Sequence, residues 1–371
     1  MDCFVVKSDL LKALNFVRSA VEKKSTVPVL SHFLLEADGF ELKITATDLE
    51  IAARTTCPAK VKAKGSVVIP GLRFLDMVRS ATDGEIRCRA LDNHGAQITY
   101  QRSSFKVVGM AKDDFPGFPA VPKPVARVDA RLLADCVEKT TFAISVEEPG
   151  FVLNAAVLKL KADTLTMVAM DGHRLAIVER KHQSPGLKQE VSVLVPRKAL
   201  ASLRRLTDEG SEGTAVEFAT NKSHVFFTLG SRVVAAGILS GQFPNYEQVL
   251  PKENGKVIEL KREDLEEVVR RVALLSDDRL HGIHFAFDKN QLEVSASTPE
   301  YGEAKEVLEV RCGKESLQIG FNEDYLLDFI SATREAASIR IALKDAETAA
   351  EFRPSGKESG EYRYVLMPLR S

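Results

Sequence analysis

Short runs of alternating apolar and polar residues fill most of the chain, each broken by residues that turn the backbone. "HFLLEADGFELKITATD" (32–48) alternates on both sides of Asp38-Gly39, a dipeptide suited to a tight hairpin. "VEFATNKSHVFFTLGSRVVAAGIL" (216–239) and "FAFDKNQLEVSAS" (285–297) repeat that pattern. Helical spacing interrupts the strands at "VKSDLLKAL", "VDARLLADC" and "LKREDLEEV", where Leu11, Leu133 and Leu265 take the same place. A second helical stretch, "VIPGLRFLDMV", returns as "LVPRKALASL" and "GFNEDYLLDF". Its helix-starting Pro70, Pro196 and Asn322 are 126 residues apart each time, with Phe74, Leu200 and Leu326, then Met77, Leu203 and Phe329, on the same spacing.

A period near 126 residues is too long for a solenoid unit, so the pattern predicts three homologous domains in tandem. Each has two helices and about eight strands, an α+β layout with antiparallel sheets. The expected boundaries are 1–121, 122–252 and 253–371, with proline-rich "PAVPKPVA" and polar "VLPKENGK" as joints.

Composition narrows the class. The 371 residues are 44% apolar and 28% charged, as in a soluble globular protein. Neither the polar start, "MDCFVVKSDLLKALNFV", nor any other run reads as a signal peptide or membrane span, which predicts a cytoplasmic protein. Cys3, Cys57, Cys88, Cys136 and Cys312 are spread singly with no C-x-x-C pair, which suits a reducing compartment and no zinc site. The 51 Lys and Arg nearly balance the 52 Asp and Glu, so any affinity for nucleic acid must come from segregated charge. Arg197, Lys198, Arg204 and Arg205 share one helix face, away from Leu200, Leu203 and Leu206, and Arg262, Arg270 and Arg271 gather on another helix. Such faces are either solvated surface or a phosphate-facing stripe.

The candidate for chemistry is "LTMVAMDGHRLAIVER" (165–180), where two strand-like runs flank Asp171-Gly172-His173-Arg174. A hydrolase built on Asp171 and His173 is one reading. However, the chain has no G-x-S-x-G turn, no H-E-x-x-H and no complete phosphate loop, since "PSGKES" (354–359) lacks the earlier glycine. His281 and His284 lack a carboxylate or cysteine partner in sequence and read as strand-edge histidines. No catalytic residue, metal site or cofactor is expected.

With the repeats in place, the chain resembles the bacterial sliding clamps, the beta subunit of the replicative DNA polymerase. The resemblance spans the whole sequence and rests on "STVPVLSHFLLEA", "TATDLEI", "VLNAAVL", "MDGHRLA", "VPRKAL", "FPNYEQVLP" and the terminal "YVLMPLRS". It implies a head-to-tail homodimer closing a ring around double-stranded DNA, a non-catalytic processivity factor. Its implied partners are the replicative polymerase subunit, the clamp loader, repair and translesion polymerases, ligase and mismatch-repair proteins, docking by a short peptide. The implied peptide pocket comprises Leu153, Met170, Gly172, His173, Arg174, Leu175, Pro244, Val249, Val365, Leu366, Met367, Pro368 and Leu369. The implied DNA contacts are Lys24, Arg73, Phe151, Arg197, Lys198, Arg204 and Arg205, and the dimer joint pairs Phe105 and Val107 with Leu274 and Leu275.

The chain departs from the family pattern at three places. Met170 stands where Thr is usual, Gln248 where Arg is frequent, and Glu147, Glu148 and Gly150 occupy a loop that usually carries DNA-facing basic or aromatic residues. These departures keep a second reading open: a diverged clamp copy with altered partner or inhibitor binding.

Overall fold

The computed structural model describes the chain except residues 23–25, 147–151, 185, 186, 188, 208–212, 253, 254, 278–280, 312–315, 357–359, 370 and 371. Among the described residues there are six α-helices: α1 (Lys7–Val17), α2 (Gly71–Ser80), α3 (Ala130–Glu138), α4 (Arg197–Thr207), α5 (Arg262–Val272) and α6 (Glu323–Ala332). The twenty-five strands among the described residues fall nine, eight and eight to the three sequence copies. Every pairing with a defined register is antiparallel, including the hairpin at Asp38, where Gly39 takes φ 57°.

Periodicity located the second helix of each copy to within one residue. α2, α4 and α6 each begin directly after the strand ending in Pro70, Pro196 or Asn322. Phe74, Leu200 and Leu326 are fully buried one turn later. Asn322 also caps α6, its side-chain oxygen accepting from the Tyr325 N–H at 3.0 Å. The first helices correct one residue. α1, α3 and α5 begin at Lys7, Ala130 and Arg262, so the fourth positions are Leu10, Leu133 and Leu265, all buried. Leu11 is only half-buried, because one residue rotates a helix position by about 100°.

The chain folds into two compact units, which divide it differently from the sequence copies. The first unit comprises Met1–Ala134 and Val195–Ile238. Its eight-stranded sheet runs Ala126–Asp129, Ala215–Thr220, His224–Leu229, Arg232–Gly237, Ile51–Pro58, Glu41–Thr47, His32–Asp38 and Gly65–Pro70. Strands of the first and second copies join there, with Val233 opposite Arg54 and Ala236 opposite Ile51. A five-stranded sheet ends in the edge strand Ser103–Val107.

The second unit comprises Asp135–Leu194 and Leu239–Ser371. Its eight-stranded sheet runs Val191–Pro196, Ala155–Leu160, Thr164–Met170, Arg174–Lys181, Gly360–Leu366, Ala350–Ser355, Ser338–Leu343 and Lys256–Lys261. A four-stranded sheet begins at the edge strand Gly302–Glu309. One face of the eight-stranded sheet packs on α6 through aromatic rings. Tyr364 stacks on Phe329 at 4.9 Å, and Phe352 lies 5.9 Å from Phe329. Strand alternation turns Leu175, Ile177, Glu351, Arg353, Arg363 and Val365 to the opposite face, and that face carries the candidate site.

Candidate functional site: an apolar sheet face bounded by the DGHR turn and the tail

Six strand residues, Ala155, Val157, Val168, Leu175, Ile177 and Val365, form an apolar floor, joined by Leu194 and Ala349. Pairing sets it: Leu175 lies opposite both Met170 and Val365, and Val168 lies opposite Ile177 and Val157. Val152, Met170, Leu239, Phe243, Tyr246 and Leu250 pack on the floor while remaining partly exposed. Half-buried rings and aliphatic tips over a buried apolar base are the surface an apolar peptide anchor can displace water from.

Of the pocket residues implied by the resemblance, two belong to this floor and one packs on it. Leu175 and Val365 lie in the floor and Met170 packs against it. From the turn Val152–Asn154, Val152 rather than Leu153 reaches the floor, while the Leu153 carbonyl accepts from the Ser145 N–H. Pro244 lines a neighbouring cleft of about 430 Å³ with Phe243, Tyr246, Leu194 and Lys159. Val249 is 45% exposed and is not packed on the floor, whereas Phe243, Tyr246 and Leu250 of the same segment are. The i, i+3 pair of rings in "FPNYE" was the available signal. Gly241 holds this segment close, at φ 134°, where a Cβ would meet the Val152 side chain at 2.6 Å.

The DGHR turn is built as a structural clasp. Gly172 takes φ 95°, which favours glycine. One Asp171 oxygen accepts from the N–H groups of His173 (2.9 Å) and Arg174 (3.0 Å), and the other from Arg174 Nε at 2.9 Å. Among the described residues no hydrogen bond joins Asp171 to the His173 ring, so the pair a hydrolase would need is not formed.

Arg174, only 9% exposed, donates also to Asp328 at 2.7 Å and to the Phe142 carbonyl at 2.5 Å, and covers the Tyr325 ring at 4.1 Å. Burial opposes its charge, but the Tyr364 hydroxyl and the Asp328 and Asp171 carboxylates outweigh that and hold its pKa above the usual range. Burial likewise pushes the Tyr364 phenol upward. Arg174 therefore positions the turn; each of its three guanidinium nitrogens donates within the fold.

The tail closes the other side. Val365 and Leu366 are buried in the strand, and beyond it the Met367 N–H donates to the His173 carbonyl at 2.8 Å. The Leu369 N–H reaches the Gly320 carbonyl at 2.9 Å, and its side chain lies over Gly282 and Gly320. Met367 stays exposed, with Pro368 and Leu369 half-buried.

The DNA-facing and dimer residues separate into several states. Lys24 and Phe151 lie outside the described residues. Arg73 is exposed on α2, while Arg197, Arg204 and Arg205 are half-buried on α4. Lys198 is held by Asp48 (3.0 Å) and Glu50 (2.7 Å). Burial lowers its pKa, but the two carboxylates win and raise it. The expected basic cluster on α5 is corrected: Arg262 is buried against Glu266 and Glu263, Arg270 pairs with Glu266, and Arg271 with Glu267 and Glu306. Phe105 and Val107 are half-buried on the edge strand Ser103–Val107, next to a 79% exposed Val108. Leu274 is 78% exposed and Leu275 half-buried. Among the described residues no cluster could hold a metal ion, and no helix is long and apolar enough to cross a membrane.

Comparison with known proteins covers the chain end to end. Family models for the N-terminal, central and C-terminal domains of the DNA polymerase III beta subunit match residues 1–119, 127–245 and 247–370. A beta sliding clamp from Pseudomonas putida is 31% identical over 370 residues, 99% of both chains. One from Chlamydia muridarum is 29% identical over 372 residues, covering 100% of this chain and 99% of its own. The crystal structure of the DNA polymerase III subunit beta from Bartonella birtlesii, bound to griselimycin, superposes with a TM-score of 0.93 at 31% identity, covering 100% of both chains.

Proposed function

The chain belongs to the DNA polymerase III beta subunit family, the beta sliding clamps, and from that premise we propose that it encircles duplex DNA as a head-to-tail dimer and tethers polymerases to it. The observation that carries the reading is the threefold strand–helix repeat, each copy matched in order by the corresponding domain of that family. Its work is retention and docking rather than bond-making, consistent with an Asp171 carboxylate engaged by its own turn.

The joint between copies would pair the edge strand Ser103–Val107, with Phe105 and Val107, against the edge strand Gly302–Glu309, with Leu274 and Leu275 beside it. Pairing covers open strand edges that otherwise invite aggregation. Partners carrying a clamp-binding peptide (replicative and translesion polymerases, clamp loader, ligase and mismatch-repair proteins) would lay apolar anchors on the Leu175–Val365 floor, between Met170, the tail and Phe243. DNA would be met by few cations, with Arg73 and Arg197 the leading candidates on their helices.

A loading assay tests the reading. The protein, placed on nicked circular duplex by a clamp loader and ATP, should stay bound through gel filtration and be released when the circle is cut. Equal retention on linear and circular DNA would refute enclosure.

A further inference from the structure

The same sheet face that carries the apolar floor continues into a row of arginines. Arg340 lies opposite Arg353, and the register continues Phe352 opposite Tyr364, which brings Arg363 alongside. Arg363 is opposite Ile177 of the floor. In the adjoining row, Ala342 faces Glu351 and Glu351 faces Val365. Like charges directly opposite each other weaken a sheet unless something offsets them. Here one carboxylate serves two cations: Glu351 accepts from Arg353 at 2.6 Å and from Arg363 at 2.5 Å.

Arg340 is exposed and makes no ion pair within 4.0 Å among the described residues, although Glu259 lies opposite it. The Glu259 carboxylate takes the Ser338 hydroxyl, which with Ser355 and then Arg340 lowers its pKa. Arg340, Ala342, Glu351, Arg353 and Arg363 line a cleft of about 300 Å³ with Pro251, Lys252 and Val257, giving four cations to one carboxylate in the lining.

We propose that this cleft is an anion-binding extension of the peptide site, taking carboxylate side chains that flank a partner's apolar anchor. The inference rests on the docking site proposed above, and adjacency favours that source of carboxylate. The strand of Leu175 and the strand of Glu351 and Arg353 are two apart in the sheet, about 10 Å at ordinary strand spacing, which an extended peptide spans in about three residues. Planar guanidinium groups suit carboxylates in two-point contact, and a partner's acid between Arg340 and Arg353 would further offset a like-charge pair in which only Arg353 has an ion pair within the fold.

The test uses the full chain and fluorescein-labelled synthetic peptides sharing one apolar core of Leu and Phe. They carry two Asp or two Asn at the N-terminal flank in one set and the C-terminal flank in another. For one flank, the Asp peptide should bind about fivefold to tenfold tighter than its Asn twin at low salt, with the advantage fading above physiological ionic strength. In the double variant R340Q/R353Q, which leaves Arg363 on Glu351, the advantage should vanish while the Asn peptide binds as before.

Equal binding of Asp and Asn peptides at both flanks overturns the extension while leaving the apolar site standing. Failure of all peptides to bind overturns both readings. An Asp advantage that survives R340Q/R353Q places the recognition elsewhere and overturns the assignment. A wild-type cleft that binds pyrophosphate but ignores the flank is a small-anion site, which also refutes the peptide proposal.

Discussion

Replacing Arg174 by Met tests whether the DGHR turn is a clasp rather than a contact point. Met keeps the aliphatic length over Tyr325 and removes donors that reach Asp171, Asp328 and the Phe142 carbonyl. The losses are unequal. The Asp328 side chain is 46% exposed and rehydrates, so its share is under about 1 kcal/mol. Asp171 is nearly buried but keeps two backbone donors, leaving one of its oxygens and the Phe142 carbonyl short of partners. Two such groups at about 1–3 kcal/mol each, less the relief of not burying a guanidinium, give about 2–4 kcal/mol, somewhat below a fully buried pair broken from one side. Calorimetry should show a fall of about 5–15 °C in the unfolding of the second unit. D328N should fall by no more than about 3 °C. Because the Met367 N–H bonds the His173 carbonyl inside this turn, peptide affinity should drop severalfold in R174M even at a temperature where it is fully folded. An R174M protein within about 2 °C of wild type, or a D328N equally damaged, would refute the clasp.

Three further outcomes follow from the geometry. Glu323 is buried, which raises its pKa although the Ser276 hydroxyl and His281 pull the other way. A carboxyl with a raised folded value favours folding when protonated, so this contribution is lost as pH climbs from about 4.5 through the folded value. The stability of E323Q relative to wild type should therefore be higher at pH 7 than at pH 4, and the reverse ordering in thermal melts contradicts it. L274A combined with L275A should shift sedimentation from dimer to monomer at micromolar concentration with little change in the far-UV spectrum, and an intact dimer would place the joint elsewhere. Finally, R73A should reduce the yield of loading onto circular DNA more than K198A does, because Lys198 already serves Asp48 and Glu50; the opposite order in the loading assay would make that ion pair a readily broken one.

The parts of the molecule that sequence made legible are those where one periodicity decides. Proline or asparagine at the strand end, followed by apolar residues at i and i+3, placed α2, α4 and α6 because capping and burial point to the same start. The neighbouring Leu10 and Leu11 could not be ranked, since only the helix start at Lys7 settles which one faces the core. Leu175 and Val365 were named through the resemblance, and strand register sets them opposite each other on one sheet face. Phe243, Tyr246 and Leu250 escaped because they sit on a segment with no period, positioned by a tight approach at Gly241. The arginine row escaped for another reason: Arg340, Arg353 and Arg363 are aligned by strand pairing alone. The α5 cluster misled although its correction was in view, since Glu266 and Glu267 precede Arg270 and Arg271 by four residues, the spacing of a helical ion pair.

That distribution of cations bears on how DNA would be held. Each phosphate neutralised by a protein adds about 0.9 to the slope of affinity against salt, so a protein that grips several phosphates is strongly salt-sensitive and slow to slide. In this chain Lys198, Arg262, Arg270 and Arg271 are bound to the protein's own carboxylates. A group of four cations with one carboxylate, around Arg340 and Arg353, lies instead beside the apolar floor. Weak phosphate contact is a defect in a protein that binds DNA by affinity and an advantage in one that holds it by enclosure. The charge pattern therefore supports a division of labour in which topology retains the duplex and electrostatics is reserved for partners.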